Sequence, residues 1–159
     1  MTHYLVADTV ANAMTVLPAA VFGRGIEVIC RYRAYGSFLR RYGMYAWEGQ
    51  PLEAFVEFTL KDDTRQDPPI DKEALVMLGL MTASEYDEIK LLTRRIAAMV
   101  KVELARRDVE LYDIKIEFGR AGETAQIAVI DEISGGNMRA IKDGAFLTPL
   151  ALAALVLGD

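Results

Sequence analysis

The chain has 159 residues, of which 52% are hydrophobic and 26% charged, and a formal net charge of -5. Length and apolar share suit one globular domain with its own core and exclude a disordered chain, while the acidic balance argues against a general nucleic-acid surface, so an anionic ligand would need a local basic pocket. The single Cys30 has no internal disulfide partner, and the amino terminus lacks the basic region and apolar run of a signal peptide, which points to the cytoplasm.

Taken in order, Tyr4 to Phe22 is apolar and rich in Ala and Val, and Met14 to Leu17 reads as a strand before Pro18. His3 is the only histidine, so a Ser–His or Cys–His unit would depend on a terminal residue, and a His-rich metal site is excluded. Ile26 to Arg33 predicts a strand after Gly23 and Gly25, with Glu27, Arg31 and Arg33 on one face and Ile26, Val28 and Cys30 on the core side. Ala34 to Ser37 then turns into a short basic helix, Phe38 to Tyr42. Arginines, a serine hydroxyl and a helix start within a few residues suit a phosphate or carboxylate. An ion-paired face explains the same spacing equally well.

Trp47, Phe55 and Phe58 are expected to pack around a strand from about Ala54 to Leu60, and Lys61 to Pro69 is a polar loop leaving it. Asp71 to Leu78 predicts a short helix. Thr82-Ala83-Ser84-Glu85 is a capping box for a long one reaching about Arg107, with Tyr86, Ile89, Leu92, Ile96 and Met99 as its buried stripe and Arg94, Arg95, Lys101, Arg106 and Arg107 mostly on its wet side.

Leu111 to Gly119 predicts a strand with Asp113, Lys115 and Glu117 on one face and Ile114, Ile116 and Phe118 on the other. Gly119 to Thr124 then turns, and Gln126 to Ile130 returns as a strand ending on Asp131 and Glu132. Two carboxylates beside a lysine are what a Mg-nucleotide site needs, namely hard oxygen ligands for the metal and an ammonium for phosphate charge. A solvated strand face with cross-strand ion pairs has the same alternation. Whether Asp131 joins the stripe depends on register, because a slip of one residue sends it to the other face. The apolar run from Leu147 to Leu157 is interrupted by Pro149, falls short of the roughly 20 residues of a membrane span and predicts a packed final helix.

Two stretches together resemble the phosphoribosylaminoimidazole-succinocarboxamide synthases (SAICAR synthetases) of purine biosynthesis. They are Gly25-Ile26-Glu27-Val28-Ile29-Cys30-Arg31-Tyr32-Arg33-Ala34-Tyr35-Gly36-Ser37 and Asp113-Ile114-Lys115-Ile116-Glu117-Phe118-Gly119, with Asp131-Glu132 at the family's distance beyond. Between them, Lys61-Asp62-Asp63 and Asp67-Pro68 look like the family's Lys-Asn-Asp…Asp-Pro loop. The resemblance implies an α+β fold in which an antiparallel sheet containing the Ile26 and Leu111 strands is packed by the long helix. It implies ATP in an ATP-grasp or kinase-like cleft, and a single domain over residues 1–159. Within that domain, 1–25 would be a remnant of a truncated first lobe and 26–159 the main lobe.

The implied activity is an ATP-dependent ligase joining an aminoimidazole ribonucleotide carboxylate to L-aspartate through an acyl phosphate, with ATP and Mg2+ as cofactors. By the same resemblance Glu117 and Asp131 match the metal ligands, and Asp113 and Lys115 line the phosphate-facing floor. Arg31, Ser37 and Arg139 match the grip on the ribonucleotide's phosphate and carboxylate. Lys61, Asp63 and Asp67 match the loop near the reacting groups, and Glu27 would sit by the nucleotide.

The family's basic Gly-Lys loop over ATP has no counterpart here, so the expectation is either an enzyme completed by a second chain or a homo-oligomer, or a fragment of a longer one; no nucleic-acid or membrane partner is expected. Tyr35 stands where the family has a small residue and is expected to intrude on the ribonucleotide pocket, and Ser134-Gly135-Gly136-Asn137-Met138-Arg139 replaces Ser-Pro-Asp-Gly-Ser-Arg. Those departures leave room for a divergent ligase acting on a related carboxylate, or for a noncatalytic nucleotide- or partner-binding remnant.

Overall fold

Strands and helices share the chain, and a computed structural model describes residues 4–8 and 13–158 of it. His3 lies outside those residues. In order, the elements are β1 (Tyr4–Asp8), β2 (Ala13–Val16), β3 (Ala19–Val21), β4 (Ile26–Arg33), α1 (Ser37–Tyr42), β5 (Pro51–Leu60), α2 (Lys72–Met77), α3 (Ala83–Ala105), β6 (Glu110–Ala121), β7 (Gln126–Val129), β8 (Met138–Lys142), β9 (Ala145–Phe146) and α4 (Pro149–Leu157). The principal sheet has the order β5-β4-β6-β8-β9, with β3 and β7 also paired to β6, and β1 and β2 form a separate antiparallel ribbon. The pairings of β6 with β3, β7 and β8, and of β8 with β9, are antiparallel.

Two compact units interleave along the sequence. The first comprises Met1–Val28, Phe58–Ile89 and Ile116–Glu132, and the second Ile29–Glu57, Lys90–Lys115 and Ile133–Asp159. In the first unit Phe22, Ile26, Val28, Phe58, Leu75, Ile89, Ile116 and Phe118 are buried, and Phe58 stacks on Tyr86 with ring centroids 4.3 Å apart. Burial of such a side chain contributes about 1.5–3 kcal/mol. The capping box of α3 forms reciprocally: the Thr82 amide donates to Glu85 Oε2 at 2.8 Å and the Glu85 amide to Thr82 Oγ1 at 3.2 Å. Arg120 also donates to both Glu85 oxygens, at 2.6 and 2.9 Å. Those bonds, the arginine's foremost, hold the Glu85 carboxyl down at about 2.

The second unit buries Cys30, Ala34, Phe38, Val56, Ala97, Leu104, Leu111, Ile114 and Leu152. Burial pushes the Cys30 thiol up to about 11, so it is a core residue rather than a nucleophile. Helix α4 starts on Thr148, whose hydroxyl accepts from the Ala151 amide at 3.2 Å, with Pro149 in the first turn where no amide proton is needed. Of its described residues Leu152 alone is buried, so this final helix packs more thinly than its composition suggests. It borders an apolar cavity of about 420 Å³ lined in part by Val100, Leu104 and Met138. No helix among the described residues is long and apolar enough to cross a membrane.

Three sequence expectations need correction. The buried seam of α3 runs through Ile89, Thr93, Ala97 and Leu104, whereas Met99 is 72% exposed. Steps of four, four and seven keep phase with 3.6 residues per turn, while the steps through Leu92 and Met99 drift off the buried side. Trp47 does not pack and is 66% exposed, although Phe55 meets Phe38 at 5.6 Å. Strand β6 continues to Ala121 instead of turning at Gly119, because Gly119, Arg120 and Ala121 pair with both β3 and β7. Double-sided pairing holds those residues extended.

Candidate functional site

The second unit assembles a chain of alternating charges from five side chains far apart in sequence. Strand β4 supplies Arg31, β5 Glu57, β6 Asp113 and β8 Arg139, while α1 supplies Arg41 and Ser37. Arg31 Nε donates to Glu57 Oε1 at 2.8 Å, its Nη2 lies 2.6 Å from the same oxygen and donates to Ser37 Oγ at 2.9 Å, and its Nη1 donates to Asp113 Oδ2 at 3.0 Å. Arg139 Nη1 donates to the same Asp113 oxygen at 2.6 Å, and Arg41 Nη2 pairs with Glu57 Oε2. The order is therefore Arg41, Glu57, Arg31, Asp113, Arg139, with one formal positive charge in excess. Arg31 is 1% exposed, a burial tolerable only because most of its donors are hydrogen-bonded and two carboxylates flank its charge. Burial pushes the Asp113 carboxyl up and nearby Glu57 adds to that rise, while the flanking Arg139 and Arg31 oppose it.

The local backbone permits this arrangement. Gly36 has a φ of 56°, and a Cβ there would lie 3.0 Å from the Arg139 guanidinium, so a side chain would collide with it. Tyr35 beside it packs on Phe146 at 4.8 Å and near Tyr112 at 6.2 Å, with the Arg139 guanidinium over its ring at 5.3 Å. Lys115 is half-buried, and its amide donates to the Asn137 carbonyl at 2.8 Å. Ser134 closes the loop before Arg139, its hydroxyl accepting from the Gly136 amide at 3.1 Å.

The first unit holds a different arrangement. Lys61 Nζ donates to Glu117 Oε1 at 2.8 Å, with Glu117 buried and the lysine side chain 51% exposed. The Lys61 amide donates to the Gly25 carbonyl at 3.1 Å, and Gly25, at a φ of 117°, allows an approach in which an added Cβ would sit 3.2 Å from the lysine side chain. Buried Glu27 accepts from Thr59 Oγ1 at 3.3 Å. In the β6–β7 register Phe118 faces Val129, and the Ile130 amide donates to the Glu117 carbonyl at 3.0 Å. Asp131 follows in a bend beyond the strand, where its Oδ1 accepts from the Glu132 amide at 3.0 Å.

The loop after Lys61 holds itself in shape. Asp67 Oδ1 accepts from the Asp62 amide at 2.9 Å and so ties the loop ends together, while Asp63 is exposed on the single 3-10 turn Asp63–Arg65. Among the described residues no three His, Cys, Asp or Glu are grouped to hold a metal. Two carboxylates suffice for Mg2+ where phosphate and water oxygens complete its shell, and the hard-oxygen character of Glu117 and Asp131 fits that ion.

Residues 2–146 match the family model for SAICAR synthetase. The chain belongs to the SAICAR synthetase family. It is 61% identical over 156 residues to the phosphoribosylaminoimidazole-succinocarboxamide synthase of Clostridium tetani, an alignment covering 98% of this chain and 69% of that protein. A solved SAICAR synthetase structure aligns with a TM-score of 0.81 at 34% identity, over 99% of this chain and 71% of that one. Another, solved in complex with ADP, gives a TM-score of 0.84 at 24% identity over 99% and 72%, a likeness of fold. The α+β architecture with antiparallel pairing expected from the sequence is that of the family.

Sequence reasoning passed over Glu57 and Arg41, which complete the charge chain. Glu57 left a signal, being the one charged residue in the run Ala54-Phe55-Val56-Glu57-Phe58-Thr59-Leu60. A carboxylate in such a strand predicts a buried partner. Arg41 left none beyond its basic helix, because its partner lies 16 residues away on another element.

Proposed function

We propose that this chain carries the ribonucleotide and phosphate chemistry of an ATP-dependent carboxylate–amine ligase, joining carboxyaminoimidazole ribonucleotide to L-aspartate. The observation that carries this reading is the buried charge chain of the second unit, found in a member of a family named for that activity. In the reaction, a carboxylate oxygen attacks the γ-phosphorus of ATP and ADP leaves. The aspartate amine then attacks the acyl carbon, loses a proton and expels inorganic phosphate. Such phosphoryl transfer depends mainly on positioning and charge neutralisation, so no dedicated nucleophile is required.

In this reading Arg139, Ser37 and Arg31 grip the ribonucleotide's phosphate and ring carboxylate, and Asp113 holds both arginines in place. Lys115 neutralises phosphate charge. Lys61, Asp63 and Asp67 serve the reacting carboxylate and amine, and Glu27 stands beside the nucleotide. Glu117 and Asp131 would hold magnesium, which when bound neutralises charge on the ATP phosphates. The cytoplasm is the compartment this chemistry and the lone buried thiol suit. A related carboxylate substrate is the second reading, favoured by the Tyr35 ring beside Arg139.

Calorimetric titration with carboxyaminoimidazole ribonucleotide, and with ATP in the presence and absence of magnesium, tests the proposal. Saturable ribonucleotide binding and magnesium-dependent ATP binding are expected. Failure of the folded chain to bind the ribonucleotide overturns the assignment. If Glu117→Gln with Asp131→Asn leaves the magnesium dependence intact, the metal ligands lie elsewhere.

A further inference from the structure

An arginine presents five N–H groups in one plane. In Arg31 three of them donate hydrogen bonds, Nε to Glu57, Nη1 to Asp113 and Nη2 to Ser37, and Nη2 also lies 2.6 Å from the same Glu57 oxygen in an ion pair. Among the described residues this leaves few N–H groups for a ligand, in a side chain otherwise enclosed by protein. A grip made through so few donors depends on the angle at which the guanidinium is held, and Glu57 sets that angle by accepting from Nε and pairing with Nη2 on a single oxygen.

The other Glu57 oxygen pairs with Arg41 Nη2, and Arg41 Nε is buried without a hydrogen-bond partner among the described residues. Its guanidinium is therefore held by the Glu57 carboxylate and by the Tyr42 ring, which it overlies at 5.5 Å. Ser37 and Arg41 are four apart on α1 and share its face, so the hydroxyl that anchors Arg31 and the second guanidinium tied to Glu57 come from the same side of one helix.

We infer that Glu57 is the positioning residue of the anion grip, orienting Arg31 and Arg41 so that their remaining donors meet the anionic groups of a phosphorylated, carboxylated ligand. The inference rests on the proposed ligase reading and deepens it, because Glu57 acts through two arginines and touches no reacting atom.

The sign of one substitution separates this role from simple charge balance. Glu57→Gln keeps the volume and an acceptor oxygen but removes a negative charge, raising the excess positive charge of the chain from one to two. If Glu57 only neutralised charge, the anion would bind more tightly. Because it positions, carboxyaminoimidazole ribonucleotide should bind at least about tenfold more weakly, in keeping with the loss of charge-assisted pairs to a buried arginine.

The measurement is calorimetric titration of the full chain and the variant with that ribonucleotide and, separately, with Mg-ATP, with circular dichroism as the check on folding. A selective loss for the ribonucleotide, with Mg-ATP affinity within about twofold of the parent chain, is the expected result. Unchanged or tighter ribonucleotide binding, or an equal loss for both ligands, overturns the inference while leaving the ligase reading in place. No ribonucleotide binding by the parent chain overturns both. If Glu57→Gln does not fold, Glu57→Asp, which keeps the charge but shortens its reach, carries the test: charge balance leaves ribonucleotide binding unaltered, positioning weakens it, and unaltered binding overturns the inference.

Discussion

The two units hold their charges in opposite ways. In the second, Arg31 is sealed between Glu57, Asp113 and Ser37, so its partners are settled before any ligand arrives. In the first, Glu117 is buried but its partner Lys61 extends into solvent, so that pair can exchange. A closed charge chain holds donors at set angles and suits a rigid anion, since little ordering remains when the ligand binds. An open pair leaves a carboxylate that another cation can claim. The difference assigns pre-organisation to one group and exchange to the other.

Asp113→Ala should break the closed chain most severely, because it leaves buried Arg31 and neighbouring Arg139 short of a carboxylate. A loss of about 3–5 kcal/mol is expected in chemical denaturation, as for other buried pairs with one partner removed. A loss under about 1 kcal/mol would show the chain to be looser than its burial implies.

Glu85 is an intermediate case, capped onto α3 and held by Arg120. Glu85→Ala should cost about 1–2 kcal/mol through the lost cap and the lost charge-assisted bonds. Its carboxyl titrates at about 2 in the folded chain against an ordinary 4.5. Its contribution is therefore fully present above the ordinary value and is lost as pH falls from there toward the folded one. Parent and variant melting curves should converge across that acid range; a constant gap down to the folded value would contradict the assignment.

Lys61→Met tests the open pair. Stability should change by no more than about 1 kcal/mol, since the lysine is half-exposed. Magnesium affinity should rise several-fold once Glu117 no longer shares its oxygen with an ammonium, as read by titration with magnesium chloride alone. Weaker magnesium binding would make Lys61 a contributor to the metal site rather than a competitor.

The smallest effect is expected at Tyr35. Its ring packs on Phe146 and under Arg139, so Tyr35→Ala should weaken ribonucleotide binding by about two- to fivefold, the scale of one cation–π contact of about 0.5–1 kcal/mol. Tighter binding would show that this ring crowds the pocket, as expected from the sequence, and would favour a related carboxylate as substrate.

Local patterns were legible without coordinates. Alternation placed the strand through Arg31 and the strand through Asp113 and Glu117, and spacing alone found the Thr82–Glu85 capping box, because strand pleat and helix cap are decided within a few residues of chain. The same locality explains the misses. A stripe in α3 spaced mostly by threes drifts off the buried side by Met99, and the end of β6 is set by two neighbouring strands rather than by Gly119.

By itself the sequence determined which residues could carry charge on a strand face, and the ordered motifs that led to the family. Tertiary structure alone decided which charges meet. Arg31 finds Glu57 26 residues away and Asp113 82 residues away, and the β6–β7 register carries Asp131 past the strand end. Pairings at such separations depend on how strands lie together in the sheet, and no period along the chain encodes that.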